Sequence, residues 1–235
     1  MEVPPECRRV VVVVPVHNEE LLLGPCLSAV AEASEHAGVP TEVIVVLDAC
    51  SDSSADIADA WADKTGYMVL PVDHRNVGAA RAAGFLASER GAGTWFATTD
   101  ADSAVRSDWL SSQLAHARRG AHVVAGTVSA DLGENMMAAA YRSAYRNRMG
   151  HRHVHGANLG LSSEAYWSVG GFSALETGED VELVQKLEYS AFPVMYACDS
   201  PVSTSCRRVG RAPNGFAAHL NSLDLAVSHD LAVSL

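Results

Sequence analysis

The sequence predicts an α/β protein in which a mainly parallel, twisted sheet carries helices on both faces. Three observations predict this fold. Short apolar runs rich in β-branched residues alternate with segments of helical length. The loops between these segments are short, as in a doubly wound sheet. The 235 residues, 48% of them hydrophobic, also supply enough apolar surface for the core of one such domain.

The first half of the chain alternates between strand and helix. Five valines at residues 10–14, followed by Pro15, are typical of a strand that is buried on both faces. Further strands are predicted at residues 42–47, 67–70, 95–98 and 122–126. Helices are predicted at residues 18–33, where Asn18 opens the first helix, and at residues 53–61, 77–88 and 108–118.

This alternation changes after about residue 126. The sequence predicts helices at residues 134–149 and 179–188, and strands at residues 156–161 and 192–196. The apolar residues of the tail, 216–235, predict a helix that either covers the domain or forms a homodimer contact. We find no flexible linker, repeat or low-complexity tract, so residues 1–235 are expected to form a single Rossmann-like domain.

Composition and charge argue against several classes of protein. The formal net charge of −11 argues against a nucleic-acid groove, which needs a basic stripe, and against charge-driven binding to an anionic membrane. The five cysteines contain no CxxC pair and are predicted to be reduced thiols. The acidic start does not resemble a signal peptide, and no apolar run is long enough to form a transmembrane segment, so a cytoplasmic protein is predicted.

Two carboxylates, Asp100 and Asp102, directly follow the strand predicted at residues 95–98. Residues i and i+2 of an extended chain point the same way, so the two charges would repel each other unless a cation lay between them. Mg²⁺ binds few protein carboxylates and completes its coordination with substrate phosphates. The alternative is an Asx-type turn in which Asp102 caps the following helix. Polar residues also follow two other strands, at residues 15–19 and at Asp48, and this edge of a doubly wound sheet binds ligands.

An ordered set of motifs resembles family 2 of the glycosyltransferases. The motifs are Val-Val-Pro-Val-His-Asn-Glu-Glu at 13–20, Val-Leu-Asp-Ala-Cys-Ser-Asp at 46–52, Asn-Val-Gly-Ala-Ala-Arg at 76–81, Asp-Ala-Asp at 100–102, Gly-Gly-Phe at 170–172 and Gly-Glu-Asp at 178–180. They cover most of the chain. The resemblance implies a GT-A fold in which about residues 8–126 bind a nucleotide-sugar donor and about residues 127–215 bind the acceptor.

The resemblance also implies roles for individual residues. Asp102 would bind Mg²⁺ or Mn²⁺ directly, and Asp100 would contact the ribose or the ion. Asp180, paired with Glu179, would be the general base. A third metal ligand, if present, would be His155 or His219. The remaining residues expected to contact the nucleotide or the substrates are Pro15, His17, Asn18, Glu19, Asp48, Arg81 and Asn158.

The sequence leaves structural alternatives open for these residues. Glu179 and Asp180 would otherwise be first-turn acids of a helix, Arg81 a salt-bridge residue and Asp48 part of a strand-end turn. His17 and Asn18 would mark the entry to a helix. The histidines at 151, 153 and 155 would bind either zinc or substrate. The arginines at 207, 208 and 211 would either close over a diphosphate or lie in a solvated loop.

These features predict an inverting, metal-dependent hexosyltransferase that acts on the hydroxyl group of a small soluble acceptor. One alternative is a sugar-phosphate nucleotidyltransferase, which would need a glycine-rich, basic loop after the first strand. The other is a non-catalytic module that only binds a nucleotide or a sugar. The presence of Asp102 and Asp180 argues against that module.

Overall fold

The computed structural model describes residues 6–88, 91–130 and 149–205. The strands in these ranges are β1 (Arg9–Val16), β2 (Thr41–Asp48), β3 (Met68–Val72), β4 (Thr94–Thr98), β5 (Ser103–Ala104), β6 (Val123–Ala130), β7 (Leu159–Ser162) and β8 (Val194–Thr204). The helices are α1 (Leu23–Glu35), α2 (Ser54–Thr65), α3 (Val77–Ala87), α4 (Trp109–Ala117), α5 (Ser163–Ser168) and α6 (Glu179–Tyr189), with a 3₁₀ turn at Gly156–Asn158. Among these described helices, none has both the length and the apolar character that a membrane span requires.

The strands form one sheet in the order β3-β2-β1-β4-β7-β6-β8-β5. Strand β1 is parallel to β2 and β4, β2 to β3, and β6 to β8. Strand β7 is antiparallel to β4 and β6, and β5 is antiparallel to β8. The strands β1–β4, β6 and β8 therefore share one direction, which confirms the mainly parallel sheet. The carboxyl ends of β1, β2, β3 and β4 lie along one edge, which we call the rim.

Both faces of β1 contribute to hydrophobic layers, which explains why five consecutive valines are fully buried. Val10, Val12 and Val14 face the layer that contains side chains of α1 and α4. Val11 and Val13 face the opposite layer, which contains side chains of α3, α5 and α6. The two-sided covering of the sheet by helices is therefore confirmed.

Several predicted elements have different bounds in the structure. The strands predicted at residues 122–126 and 192–196 continue to Ala130 and Thr204 as β6 and β8. Helix α1 begins at Leu23 and not at Asn18, because Asn18 has a left-handed φ of 53° and its Oδ1 accepts a hydrogen bond from the Ser51 amide. Residues 156–158 form the 3₁₀ turn, so β7 begins only at Leu159. The short elements α5 and β5 are additional, since they are too short to show a periodic pattern. Almost all of the helix predicted at residues 134–149, and the whole tail at residues 216–235, lie outside the described residues.

Candidate functional site

The loops that follow β1 and β2 are bound to each other at the rim. His17 Nδ1 lies 2.6 Å from the main-chain oxygen of Asp48 and carries the proton of this bond, because a carbonyl oxygen only accepts. The Ser51 amide donates to Asn18 Oδ1 at 2.7 Å, and the Glu19 amide donates to Ser54 Oγ at 2.8 Å. These contacts position the predicted nucleotide residues at the rim; Pro15, by contrast, is buried within β1.

Three residues of the rim loops adopt left-handed backbone conformations although none is glycine. They are Asn18 after β1, Ala49 after β2 and Arg75 after β3, with φ values of 53°, 52° and 51°. Asparagine tolerates this region, but alanine and arginine pay about 1–2 kcal/mol for it. The strain is held by surrounding hydrogen bonds, so the rim keeps a defined shape.

Asp48 organises the loop between β3 and α3. Its Oδ1 accepts the amides of His74 and Arg75 at 2.7 and 2.8 Å, and its Oδ2 accepts the amide of Asn76 at 2.9 Å. The side chain is almost fully buried. These bonds match the structural alternative, a strand-end turn, and a contact with the base or the ribose of the nucleotide stays a prediction.

The loop with Asp100 and Asp102 turns sharply after β4. The Ser103 amide donates to the Asp100 carbonyl at 3.0 Å, and the buried Cys26 thiol of α1 donates to the same oxygen at 3.4 Å. Asp102 Oδ2 accepts a hydrogen bond from Ser205 Oγ at 2.5 Å. The N-cap residue of α4 is Asp108, so the proposal that Asp102 caps this helix is wrong.

The negative charge of this loop affects the pKa of the Cys26 thiol. Burial raises the pKa of Cys26, and the negative charges of Asp100, Asp102 and Glu19 raise it further. Residues from the ends of β1 and β4 therefore share one electrostatic environment. Sequence reasoning did not single out Cys26 or Ser205, since neither shows a local signal of its contact with the acidic loop.

Arg81 connects two of the predicted motifs. This buried side chain of α3 donates through Nη2 to Asp100 Oδ1 at 2.6 Å and through Nη1 to Glu179 Oε1 in a short hydrogen bond. Burial lowers the pKa of Arg81, but the carboxylates of Asp100 and Glu179 outweigh it and raise the pKa above its usual value. Burial raises the pKa of Asp100, and Arg81 offsets only part of this effect. The structure therefore matches the salt-bridge alternative, while a direct nucleotide contact of Arg81 stays a prediction.

Glu179 and Asp180 open helix α6 behind Gly178, which has a φ of 77°. Glu179 is buried, whereas Asp180 is half-buried. Asp180 Oδ2 accepts the Gly156 amide at 2.7 Å, and its Oδ1 accepts the Val181 amide at 2.8 Å. Asp180, the predicted general base, is thus held between the start of α6 and the 3₁₀ turn.

Asn158 is committed to contacts inside the protein. Its Nδ2 lies 2.8 Å from the Thr127 carbonyl and 3.0 Å from the Ser200 carbonyl, and its Oδ1 accepts from Trp109 Nε1 at 2.9 Å. With these three bonds, a buried Asn158 joins β6, β8, α4 and the 3₁₀ turn. Its predicted role as a substrate contact has no support from this geometry and stays a prediction.

The three alternating histidines form a stack instead of a metal centre. His151 and His153 have ring centroids 5.5 Å apart, and His153 and His155 have centroids 6.2 Å apart. His151 accepts the His153 amide at Nδ1 and donates from Nε2 to the Ala197 carbonyl, so both its nitrogens are used. The zinc interpretation is wrong. His219 and the arginines at 207, 208 and 211 lie outside the described residues.

The acidic loop fits a metal ion that is shared with a ligand. Across residues 6–88, 91–130 and 149–205, no group of three or more His, Cys, Asp or Glu side chains could hold a metal. Asp100 and Asp102 offer two carboxylates one residue apart, and the Asp100 side chain is 36% exposed. Two carboxylates are sufficient for Mg²⁺ or Mn²⁺ when phosphate oxygens complete the coordination. The donor set therefore fits an ion bound together with a diphosphate.

Comparison with known proteins identifies the family. Residues 11–163, more than half of the chain, match the family model described as glycosyl transferase family 2. The chain belongs to this family. Among solved structures, S. aureus TarS 1-349 in complex with UDP-GlcNAc matches this chain with a TM-score of 0.69 and 16% identity. The match covers 88% of this chain and 61% of the TarS chain. The mannosyltransferase PcManGT from Pyrobaculum calidifontis, in complex with GDP-Man and Mn²⁺, has a TM-score of 0.70 at 18% identity, with coverages of 86% and 58%. The predicted GT-A fold is confirmed.

Two curated relatives are both undecaprenyl-phosphate 4-deoxy-4-formamido-L-arabinose transferases. The protein of Pectobacterium carotovorum subsp. carotovorum (strain PC1) is 33% identical over 129 residues, which are 54% of this chain. The protein of Serratia proteamaculans (strain 568) is 35% identical over 127 residues, which are 53% of this chain. In each case the match covers 38% of the relative, so the chain spans well under half of its relatives' length.

Proposed function

We propose that the protein is an inverting glycosyltransferase that moves a hexose from a nucleotide-diphosphate donor to the hydroxyl group of a small soluble acceptor. The observation that carries this proposal is the contact of Arg81 with both Asp100 and Glu179. Through it, the loop suited to a cation lies beside the helix that begins with Glu179 and Asp180. Donor and acceptor chemistry can then meet where Asp100 lies beside the start of α6. This arrangement, together with family membership, supports transfer and leaves the nucleotidyltransferase alternative without support.

Asp180 is the residue that we assign as the general base. It accepts the proton of the acceptor hydroxyl while that oxygen attacks C1 of the donor sugar and the bond from C1 to the diphosphate oxygen breaks. Hydrogen bonds from the Gly156 and Val181 amides fix the carboxylate in place during this step. A positioned base contributes about 10²–10⁴-fold to the rate. Attack opposite the leaving group inverts the configuration at C1.

Asp102 and Asp100 are the residues that would hold Mg²⁺ or Mn²⁺. When bound, the ion supplies Lewis-acid stabilisation for the charge on the departing diphosphate. Ser205 keeps the Asp102 carboxylate oriented through its 2.5 Å hydrogen bond. The complex of PcManGT with GDP-Man and Mn²⁺ supports this part of the proposal.

A lipid-linked phosphate is the second candidate acceptor, because the names of both curated relatives include undecaprenyl phosphate. The two acceptors differ in whether they need Asp180 to accept a proton. A hydroxyl must lose its proton during attack, whereas a phosphate oxygen is already largely ionised near pH 7, since its second pKa is about 6. Replacing Asp180 with Asn should therefore greatly reduce transfer to a hydroxyl and reduce transfer to a phosphate far less.

The test measures release of nucleoside diphosphate from UDP-GlcNAc and GDP-mannose with Mn²⁺. One set of reactions contains soluble sugar and polyol acceptors, and another contains undecaprenyl phosphate in detergent. Asp180→Asn should lower turnover by about 100-fold or more with a hydroxyl acceptor. The matched control is Glu182→Gln, since Glu182 lies in the same helical turn but pairs with Lys186 at 2.8 Å. Equal turnover of Asp180→Asn and wild type with a hydroxyl acceptor would refute the base assignment.

Asp102→Asn tests the metal assignment separately. We expect it to weaken Mn²⁺-dependent nucleotide binding, whereas Asp59→Asn, on the exposed surface of α2, should not. Nucleotide binding without turnover on every acceptor would instead support a non-catalytic module. The division into a donor half at residues 8–126 and an acceptor half at residues 127–215, and a cytoplasmic location, stay predictions.

A further inference from the structure

The buried guanidinium of Arg81 has two anionic partners that come from distant parts of the chain. Asp100 follows β4, and Glu179 opens α6, 98 residues beyond Arg81. The Arg81 side chain is 3% exposed and that of Glu179 is 7% exposed, so water contributes little to either charge. The buried Glu179 carboxylate therefore depends on the guanidinium for compensation, whereas Asp100, which is 36% exposed, is also reached by solvent.

The surrounding residues leave a space shaped for this guanidinium. A Cβ atom on Gly156 would lie closer than 3.0 Å to Cζ, Nη1 and Nη2 of Arg81, so only glycine fits beside the group. A Cβ atom on Gly78 would collide with the Ser173 carbonyl next to Glu179. The ring of Phe172, from the Gly-Gly-Phe motif, lies 5.5 Å from Arg81 Cζ and closes another side. Residues of the Asp-Ala-Asp, Gly-Gly-Phe and Gly-Glu-Asp motifs, namely Asp100, Phe172 and Glu179, thus meet around the Arg81 cation.

We propose that Arg81 is a positioning residue that couples the donor side of the site to the acceptor side, because one guanidinium holds Asp100 and Glu179 at the same time. This inference rests on the proposed function. Arginine suits the role because its planar fork donates to two carboxylates in fixed directions, whereas the single ammonium group of lysine cannot reproduce both bonds. The neighbouring Asp180 is fixed by the same arrangement, since it shares the first turn of α6 with Glu179 and binds the amide of Gly156.

The coupling has a testable consequence at a distance. If Glu179 loses its charge, the guanidinium is compensated chiefly by Asp100 and pairs with it more strongly. Asp100 is then less available to a cation and its diphosphate. A substitution in α6 should therefore weaken binding of the metal ion and the nucleotide, although Glu179 itself has no assigned contact with the nucleotide.

The experiment compares Glu179→Gln with Glu182→Gln. Both remove a carboxylate from the first turn of α6, but Glu182 interacts with Lys186 and Ser173 and not with Arg81. Calorimetric titration with UDP or GDP in the presence of Mn²⁺ gives the dissociation constant without requiring turnover. We expect Glu179→Gln to weaken binding about three- to tenfold and Glu182→Gln to leave it unchanged.

A second variant keeps the test independent of folding defects. In Arg81→Lys the link to two carboxylates is lost while the charge is kept, so adding Glu179→Gln should change nucleotide affinity less than it does in the wild type. Equal affinity of wild type and Glu179→Gln would overturn the coupling and leave the proposed function intact. If the wild type binds neither nucleotide, the proposed function and the coupling fail together.

Discussion

Replacing Gly156 with alanine is the sharpest structural test of the site. The new Cβ would lie within 3.0 Å of three guanidinium atoms of Arg81, which hydrogen bonds to Asp100 and Glu179 hold in place. An overpacked core substitution costs about 1–3 kcal/mol. Weakening a buried hydrogen bond to a charged group costs about 1.5–3 kcal/mol more. We therefore expect Gly156→Ala to lower the free energy of unfolding by about 2.5–6 kcal/mol.

The matched control is the same substitution at a glycine with open space around it. A Cβ atom on Gly24, in the first turn of α1, has no neighbour within 4 Å. Alanine has the higher helix propensity, so Gly24→Ala should raise the free energy of unfolding by about 0.5 kcal/mol. The two alanine substitutions are thus expected to change stability in opposite directions.

Urea denaturation of both variants measures these differences, and thermal melting gives a second estimate. For a chain of this size, each kcal/mol shifts the melting temperature by about 2–4 °C. The same samples should show weaker binding of UDP or GDP with Mn²⁺ for Gly156→Ala only. If Gly156→Ala were as stable as the wild type and bound nucleotide equally well, the tight packing around Arg81 would be refuted.

Four further outcomes are expected. Asn158→Ala leaves three buried partners without hydrogen bonds and should cost about 3 kcal/mol or more in urea denaturation; a loss below about 1 kcal/mol would contradict the internal role. Asp48→Asn turns one acceptor oxygen into a donor and should cost about 1–3 kcal/mol, again by denaturation, with no loss if the amide contacts are unimportant. Hydrogen bonds from Arg106 lower the pKa of Asp108 below its usual value, so the contribution of Asp108 to stability is complete above the unfolded pKa and is lost as the pH falls through the folded value. The stability difference between wild type and Asp108→Asn should therefore shrink below about pH 4, and a constant difference would contradict this. Removing divalent ions with EDTA should abolish the rise in melting temperature that nucleotide causes, unless Asp102 holds no ion.

The sheet can be predicted from the sequence because its signals are local. The five valines at residues 10–14 place apolar side chains on both faces of the strand, so they indicate a strand that is covered on both sides. The carboxyl ends of such strands mark the rim, which is why the residue pattern alone assigns Asp48 and Asp100 to it. The prediction for the start of α1 is wrong because Asn18 has the residue type of a helix cap but binds the neighbouring loop instead.

The contacts within the site depend on long-range packing that no local pattern encodes. Whether Arg81 meets a nucleotide or a carboxylate cannot be decided locally, since Glu179 lies 98 residues away. The same holds for Asn158, whose partners come from β6, β8 and α4. The histidines at 151, 153 and 155 alternate as metal ligands would. Both ring nitrogens of His151 are occupied by main-chain contacts, however, and these contacts are visible only in three dimensions.

The position of β1 between β2 and β4 also affects how readily the folding chain associates with other chains. Val13 pairs with Ile44 on one side and with Thr98 on the other, so the second partner is synthesised long after the valines. Until then, an uncharged β-branched segment without glycine stands with an open edge, the type of segment that associates between chains. Refolding from denaturant should accordingly lose yield as protein concentration rises, and lysine in place of Val12 would trade that association for a charge buried in the core.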